Sequence, residues 1–382
     1  MIYREFGNTG IKLSALGFGA MRLPMTEVNG VKTVNYELST PLMQKAFEMG
    51  VNYVDTAPYY CEKNSEIAVG KALKGWRNKV YLSTKNPVEN ASGADWRKRL
   101  ETSLEKLDTD YIDFYHMWGI SLEAYRDKID VKDGPLEAAH KAKAEGLIKH
   151  LSFSFHDKAE NMRPIIDSGQ FESVLLQYNL LDRSNEENIE YANKKGLGVV
   201  VMGPVGGGRL GAPSEVIKNL IGRDIKSSAE MAMRFVIANK GIHVALSGME
   251  NLKMLEENAK IASIEGSLTE AEIGQINAMM IENKKLSDLY CTACRYCLPC
   301  PQGINIPHVF SLMNYHKVYE LTDYSKAEYK NLYIPMETRT APWEIDWGVD
   351  ASKCIECGAC EDKCPQKLKI IEQLKETHSV LG

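Results

Sequence analysis

Apolar and polar positions along this chain follow two alternating patterns. Short continuous apolar runs are each followed by a longer amphipathic stretch of helical period. Residues 3–10 and 11–15 read as a hairpin turned at Asn8-Thr9-Gly10. Strands are then expected at Ala15–Gly19, Val51–Asp55, Lys79–Thr84 and Tyr111–Met117, and again at Lys149–Phe153, Ser173–Gln177, Leu197–Met202 and His243–Leu246. Between and after them the period predicts helices at Thr40–Met49, Ser65–Lys74, Asp95–Leu107, Pro135–Glu145, Lys158–Asp167, Glu186–Lys195, Ser227–Asn239 and Asn251–Ile261. Gly50, Gly146 and Gly196 mark three of the helix ends.

Continuous apolar runs are the signature of strands covered on both faces. Strand–helix units repeated to this length predict an α/β fold closed as a (β/α)8 TIM barrel. The alternative is a doubly wound open sheet, whose Gly-rich dinucleotide fingerprint is missing after the first strand. A helix over Thr269–Asn283 leads out of the barrel, and Asn283-Lys284-Lys285 reads as a boundary. The expected division is a barrel over residues 1–285 and a second domain over 286–382.

The second domain owes its character to cysteine. Eight of the chain's nine cysteines fall in two runs, Cys291-x2-Cys294-x2-Cys297-x2-Cys300-Pro301 and Cys354-x2-Cys357-x2-Cys360-x3-Cys364-Pro365. The second run has the bacterial ferredoxin spacing for a 4Fe-4S cluster, and the first has the same leading thiolates with Cys-Pro one residue sooner. Structural zinc prefers two pairs separated by a longer loop. Disulfides need an oxidising compartment. The expectation is therefore a small, mainly helical, ferredoxin-like domain with two 4Fe-4S clusters. In such two-run domains the fourth Cys ligates the other cluster. The expected sets are Cys291, Cys294 and Cys297 with Cys364, and Cys354, Cys357 and Cys360 with Cys300. Between the runs, Ile304–Ser352 shows helical patterning around His308–Tyr319 and a looser aromatic section with Pro335, Pro342, Trp343 and Trp347.

Composition narrows the class. The chain has 382 residues, 44% hydrophobic and 25% charged, with a net charge of −5 and no long basic run. Nucleic acid is not an expected partner. No stretch approaches the roughly 20 apolar residues of a membrane span, and Met1–Glu5 lacks the apolar core of a signal peptide. A cytoplasmic protein is expected.

In a (β/α)8 barrel the chemistry sits where strands end. The second strand ends in Asp55-Thr56-Ala57-Pro58-Tyr59-Tyr60, the third in Ser83-Thr84-Lys85, and the fourth carries Asp113-Phe114-Tyr115-His116-Met117-Trp118. A tyrosine hydroxyl is a poor acid at neutral pH unless an ammonium stands beside it. Asp55, Lys85 and Tyr60 thus form a proton relay for a carbonyl oxygen while hydride reaches its carbon. Cys61 reads as an ordinary thiol.

Asp-Thr-Ala-x-x-Tyr, the strand-end Lys and Tyr-x-Asp-x-Tyr resemble the aldo-keto reductase superfamily, from Arg4-x-Phe-Gly-x-Thr-Gly to Glu257-Asn258. The tail resembles the bacterial branch fused to a ferredoxin-like domain. The resemblance implies a nicotinamide cofactor, NAD(P)H, across the barrel mouth and a tetrad of Asp55, Tyr60, Lys85 and a histidine. The family's histidine position holds Trp118, so His116 is the expected fourth member, with His156 or Trp118 itself as the alternatives. For the cofactor it implies Ser154, Gln177, Met202, Gly206, Gly207, Ser247, Gly248, Glu257 and Asn258. A flavin in the same mouth is an alternative, since hydride moves two electrons and a cluster accepts one. The expected function is hydride transfer with a small-molecule carbonyl or alcohol, with a redox partner protein for the clusters. Two alternatives stand: an electron carrier with a degenerate barrel, and a lyase or isomerase using Tyr60 as base.

Overall fold

The short apolar runs pair side by side, all parallel, and close on themselves. A computed structural model describes residues 1–288, 291, 295–332, 348–364 and 368–382. The hairpin is β1 (Tyr3–Glu5) with β2 (Lys12–Ser14). The barrel strands are β3 (Leu16–Gly19), β6 (Tyr53–Asp55), β7 (Tyr81–Pro87), β8 (Ile112–Ile120), β9 (Ile148–Phe155), β10 (Ser173–Gln177), β11 (Gly198–Met202) and β12 (Val244–Ser247). They form a closed barrel in chain order, with β12 returning to β3. A helix follows every barrel strand, as its sequence period requires.

Three strands run further than the sequence suggests. Strand β7 continues through Lys85 and Asn86, β8 through Trp118, and β9 to Phe155. A lysine reads as a strand end because charge does not enter a dry barrel unpaired. Here Lys85 is paired inside it and the Asn86 amide, on the opposite face, donates to the Trp96 carbonyl of the covering helix, so pairing continues. The hairpin of β4 (Met25–Val28) and β5 (Val31–Val34) was not expected. Its signal is Asn29-Gly30, both with positive φ (53° and 78°), the residues favoured in a two-residue hairpin turn. The helix expected over Lys158–Asp167 is a 3-10 turn, Ala159–Asn161, followed by Met162–Asp167.

The β1–β2 hairpin closes one end of the barrel. Phe6 is fully buried and packs edge-on to Phe114, with ring centroids 5.0 Å apart. Leu13, Tyr53, Leu175, Val200, Val244 and Leu246 complete this core. Gly198 is required beside the plug, since a Cβ there would lie 2.4 Å from the Phe6 ring. Arg4, beside Phe6, donates to the carbonyls of Ile237, Asn239 and Ile242.

The chain divides into two compact units, one of Met1–Gly207 with Ala232–Leu268, the other of Gly208–Met231 with Thr269–Gly382. The helix Glu270–Asp288 runs through the residues at which the sequence suggests a boundary. In the second unit, helices Ile306–Tyr319, Thr322–Asn331 and Ile370–Leu381 pack around Phe310, Met313, Tyr329 and Leu374. The first was expected and the other two were not. Arg209, from the segment after β11, donates to the Tyr315 hydroxyl in this unit. Pro335, Pro342, Trp343 and Trp347 lie outside the described residues. Among those residues no helix is long and apolar enough to cross a membrane.

Removing the plug tests its weight. Phe6→Ala is expected to cost about 3–5 kcal/mol of stability, the range for emptying a buried aromatic site. Chemical denaturation of the two proteins measures it, and a loss below about 1 kcal/mol would mean the hairpin does not close the core.

Candidate functional site

Strands β6 and β7 place the central charges. Asp55 lies opposite Ser83 in register, and Lys85 is two residues further on the same face. The Lys85 ammonium is 2.5 Å from Asp55 Oδ2 and donates to the Thr56 carbonyl at 2.7 Å. Both side chains are buried, at 2% and 5% exposure. Desolvation works against the lysine's charge, but Asp55 and Tyr60 outweigh it and hold the ammonium above its usual range. Tyr60 follows β6 with its ring centroid 4.9 Å from Lys85 Nζ, and its hydroxyl is hydrogen-bonded to that lysine. The protein packed around the hydroxyl raises the Tyr60 pKa, and the Lys85 charge pulls part of that rise back. The structure thus brings the three expected residues together, a tyrosine hydroxyl beside a buried, paired cation.

Cys61, Glu62 and Lys63 follow Tyr60 with φ of 51°, 52° and 65°, a left-handed turn of non-glycine residues. The Cys61 thiol bonds to the Met21 carbonyl at 3.3 Å, and burial raises its pKa. Both features favour the protonated thiol over the reactive thiolate.

The fourth position divides between residues. Trp118 stands at the site, its ring edge-on to Tyr60 at 5.8 Å and tilted against Tyr59 at 5.6 Å. His116 pairs in register with Lys85 and is fully buried, with Nε2 3.1 Å from Ser83 Oγ. Burial and then the Lys85 charge lower its pKa to about 3. So His116 is a neutral imidazole enclosed against Ser83 and not open to solvent. His156 follows β9 with a solvent-accessible ring, and its pKa is lowered by the surrounding protein and by Lys85. Ser83 was missed by sequence reasoning. Its signal was available, because the second residue before Lys85 shares its face of the strand.

The expected cofactor residues fall into three groups. Ser154 is buried, and its hydroxyl accepts from the Gly119 N–H at 2.7 Å. Gln177 and Met202 are neighbours across β10 and β11, both partly exposed. A Cβ at Gly203 would lie 2.7 Å from the Gln177 amide, so glycine there leaves the amide its place. Gly206 and Gly207 open a 3-10 turn, with free space where a Gly207 side chain would be. Ser247 accepts from Asn258 at 3.0 Å, Gly248 lies against Arg22, and Glu257 is exposed. Arg22, also missed, donates to the Gly207 carbonyl at 2.6 Å and so ties the Gly207 and Gly248 segments to one cation. Small residues, an amide and a cation suit a nicotinamide dinucleotide with its pyrophosphate.

In the second unit, Cys300, Cys354, Cys357 and Cys360 line one hollow, open in part to solvent. These are the second expected ligand set, and Cys297 touches the same cavity. Its walls include Ile306, Ile355 and Leu374. Thiols around an apolar hollow fit the donor set of an iron–sulfur cluster. Of the first set, Cys297 and Cys364 are nearly buried in the helical core and Cys291 packs against it. Cys294 lies outside the described residues.

Residues 15–281 match the aldo/keto reductase family, and residues 290–368 match the 4Fe-4S dicluster domain. An uncharacterized oxidoreductase of Bacillus subtilis, YqkF, is 27% identical over 71% of this chain and 94% of its own length. L-galactose dehydrogenase of Arabidopsis thaliana is 27% identical over 74% and 96%. The holo form of aldo-keto reductase AKR11C1 from Bacillus halodurans has a TM-score of 0.63 at 27% identity, covering 73% of this chain and 96% of that one. Barrel, site and matches together make the chain a member of the aldo/keto reductase family, an oxidoreductase that carries a 4Fe-4S dicluster domain.

Proposed function

We propose that this protein transfers hydride between NAD(P)H and a small carbonyl or alcohol, with Tyr60 as acid/base. The observation that carries the reading is the buried Asp55–Lys85 pair beneath the Tyr60 hydroxyl. In reduction, Tyr60 gives its proton to the substrate oxygen, and the Lys85 ammonium stabilises the phenolate left behind. Bound at the mouth, the nicotinamide supplies the hydride for the carbonyl carbon. Gly206, Gly207 and Arg22 would hold its pyrophosphate, Gln177 and Ser154 its amide, and Ser247, Gly248, Glu257 and Asn258 its adenosine end. The relative named L-galactose dehydrogenase supports a small hydroxylated substrate. Trp118 offers one indole N–H and no proton exchange, so substrate orientation differs from a histidine-bearing site.

Cys354, Cys357, Cys360 and Cys300 are proposed to hold one cluster, and Cys291, Cys294, Cys297 and Cys364 the other. The clusters supply one-electron transfer, which would link the two-electron hydride step to a redox partner protein. Cys357 is exposed and beside the exposed Ile355, which supports exchange at that surface.

Tyr60→Phe is expected to lower turnover about 10²- to 10⁴-fold while NADH or NADPH binding, followed by fluorescence titration, persists. Unchanged turnover would remove Tyr60 from the reaction. Failure of wild type to bind either nucleotide would favour an electron carrier instead. Lys85→Met leaves a buried carboxylate unpaired and is expected to cost about 3–5 kcal/mol in denaturation.

The pH dependence has a definite sign. The Tyr60 pKa is raised, so its neutral, proton-donating form persists through neutral pH. Carbonyl reduction should stay level there and fall only as pH rises past the ordinary tyrosine value of about 10, while alcohol oxidation rises with pH. A reduction profile that halves near pH 7 contradicts the assignment.

Protein purified without oxygen is expected to carry about eight iron and eight sulfide per chain. Cys300→Ser and Cys357→Ser should each reduce both to about four, because both residues serve one cluster. Full iron in either variant breaks the ligand set.

A further inference from the structure

Asp55 has two carboxylate oxygens, and they are used differently. Oδ2 holds Lys85 at 2.5 Å, and Oδ1 accepts from Ser83 Oγ at 2.8 Å. His116 then reaches the same Ser83 oxygen through Nε2, at 3.1 Å. All four side chains are buried. We propose that Ser83 and His116 are positioning residues, forming a donor line from His116 through Ser83 to Asp55 that sets how the carboxylate holds Lys85 beneath Tyr60. The proposal rests on the reading of Tyr60 as acid/base and adds two residues behind it.

The direction of the line follows from proton counting. A serine hydroxyl has one proton, and here it goes to Asp55. With that proton given to Asp55, the His116 contact is assigned as an Nε2–H donating to the serine oxygen, the neutral Nε2–H tautomer, in which the buried Nδ1 carries no proton and makes no hydrogen bond. The charged imidazolium is disfavoured, since His116 is enclosed and has the Lys85 cation as its strand neighbour. So the line does not change protonation at working pH, and it passes no proton to substrate. It spreads the Asp55 charge over a second hydrogen bond, leaving more of the Lys85 field directed at Tyr60.

Other groups bear on the same centre. Tyr60 faces Lys85 from β7, Asp55 from β6 and Cys61 from its own turn. His116 faces Lys85, Ser83 and the Phe153 backbone of β9. Tyr53 of β6 places its hydroxyl toward Ser83. His156 feels Lys85. Glu66, buried behind β7 and accepting from Thr84, also feels the Lys85 charge.

Ser83→Ala removes the donor while leaving volume almost unchanged. The Asp55 charge then concentrates on Lys85, and less positive field reaches Tyr60. The Tyr60 pKa should rise by about half a unit to one unit. Ultraviolet difference titration against Tyr60→Phe reads this without substrate, so it stays informative even if hydride transfer is not the reaction. In alcohol oxidation the rising limb of kcat against pH should move up by the same amount with KM unchanged. Ser83→Thr, which keeps the hydroxyl, should restore both, and His116→Leu should move both in the same direction by less. If Ser83→Ala lowers thermal stability but leaves the Tyr60 titration in place, the role is structural and the proposal is overturned. The same holds if Ser83→Thr behaves like Ser83→Ala.

Discussion

A lysine ammonium inside a barrel is tolerable only if its partners are already in place. Lys85 is 2% exposed, and its charge is met by the Asp55 carboxylate and the Thr56 carbonyl. Desolvating either ion alone would cost several kcal/mol. The pair therefore constrains which strands can be neighbours: β6 must lie beside β7, in the register that sets Asp55 against Ser83. A shift of one residue would turn Lys85 to the helix-covered face and leave Asp55 unpaired. The same constraint fixes Tyr60, whose chain leaves β6 directly after Asp55 and Thr56. Its turn runs through three left-handed non-glycine residues, a local strain tolerated where the site requires it.

The second unit obeys a different constraint. Cys300, Cys354 and Cys357 lie outside its helices and Cys360 in the helical turn Ala359–Asp362, and the hollow they line has apolar walls. A cluster carrying anionic thiolates in such surroundings depends on the few polar and solvent contacts left to it, and these tune its potential. Cys297 and Cys364 are nearly enclosed, whereas Cys357 is open. The described cysteines thus differ in exposure, although the spacings of the two runs are almost alike.

Much of this was legible in the residues. Strand–helix alternation gave the barrel because covered parallel strands read as continuous apolar runs. Cysteine spacing marked the iron–sulfur domain because cluster ligation leaves little freedom in local spacing. Asp55, Tyr60 and Lys85 were legible because polar residues at strand ends are conspicuous against apolar runs. The β4–β5 hairpin was equally open to view at Asn29-Gly30 and was missed among stronger signals.

What the sequence determined by itself is periodicity and spacing: the barrel fold, the iron–sulfur domain, and three polar residues to look for at the strand ends. The tertiary structure decided which groups share a charge. His116 looked like the fourth member of the site, yet pairing with β7 encloses it against Ser83, and Trp118 takes the place beside Tyr60. Arg22 and Ser83 entered the site only through contacts with residues far along the chain. Periodicity reports which face a residue occupies, and strand register across the barrel determines what that face meets.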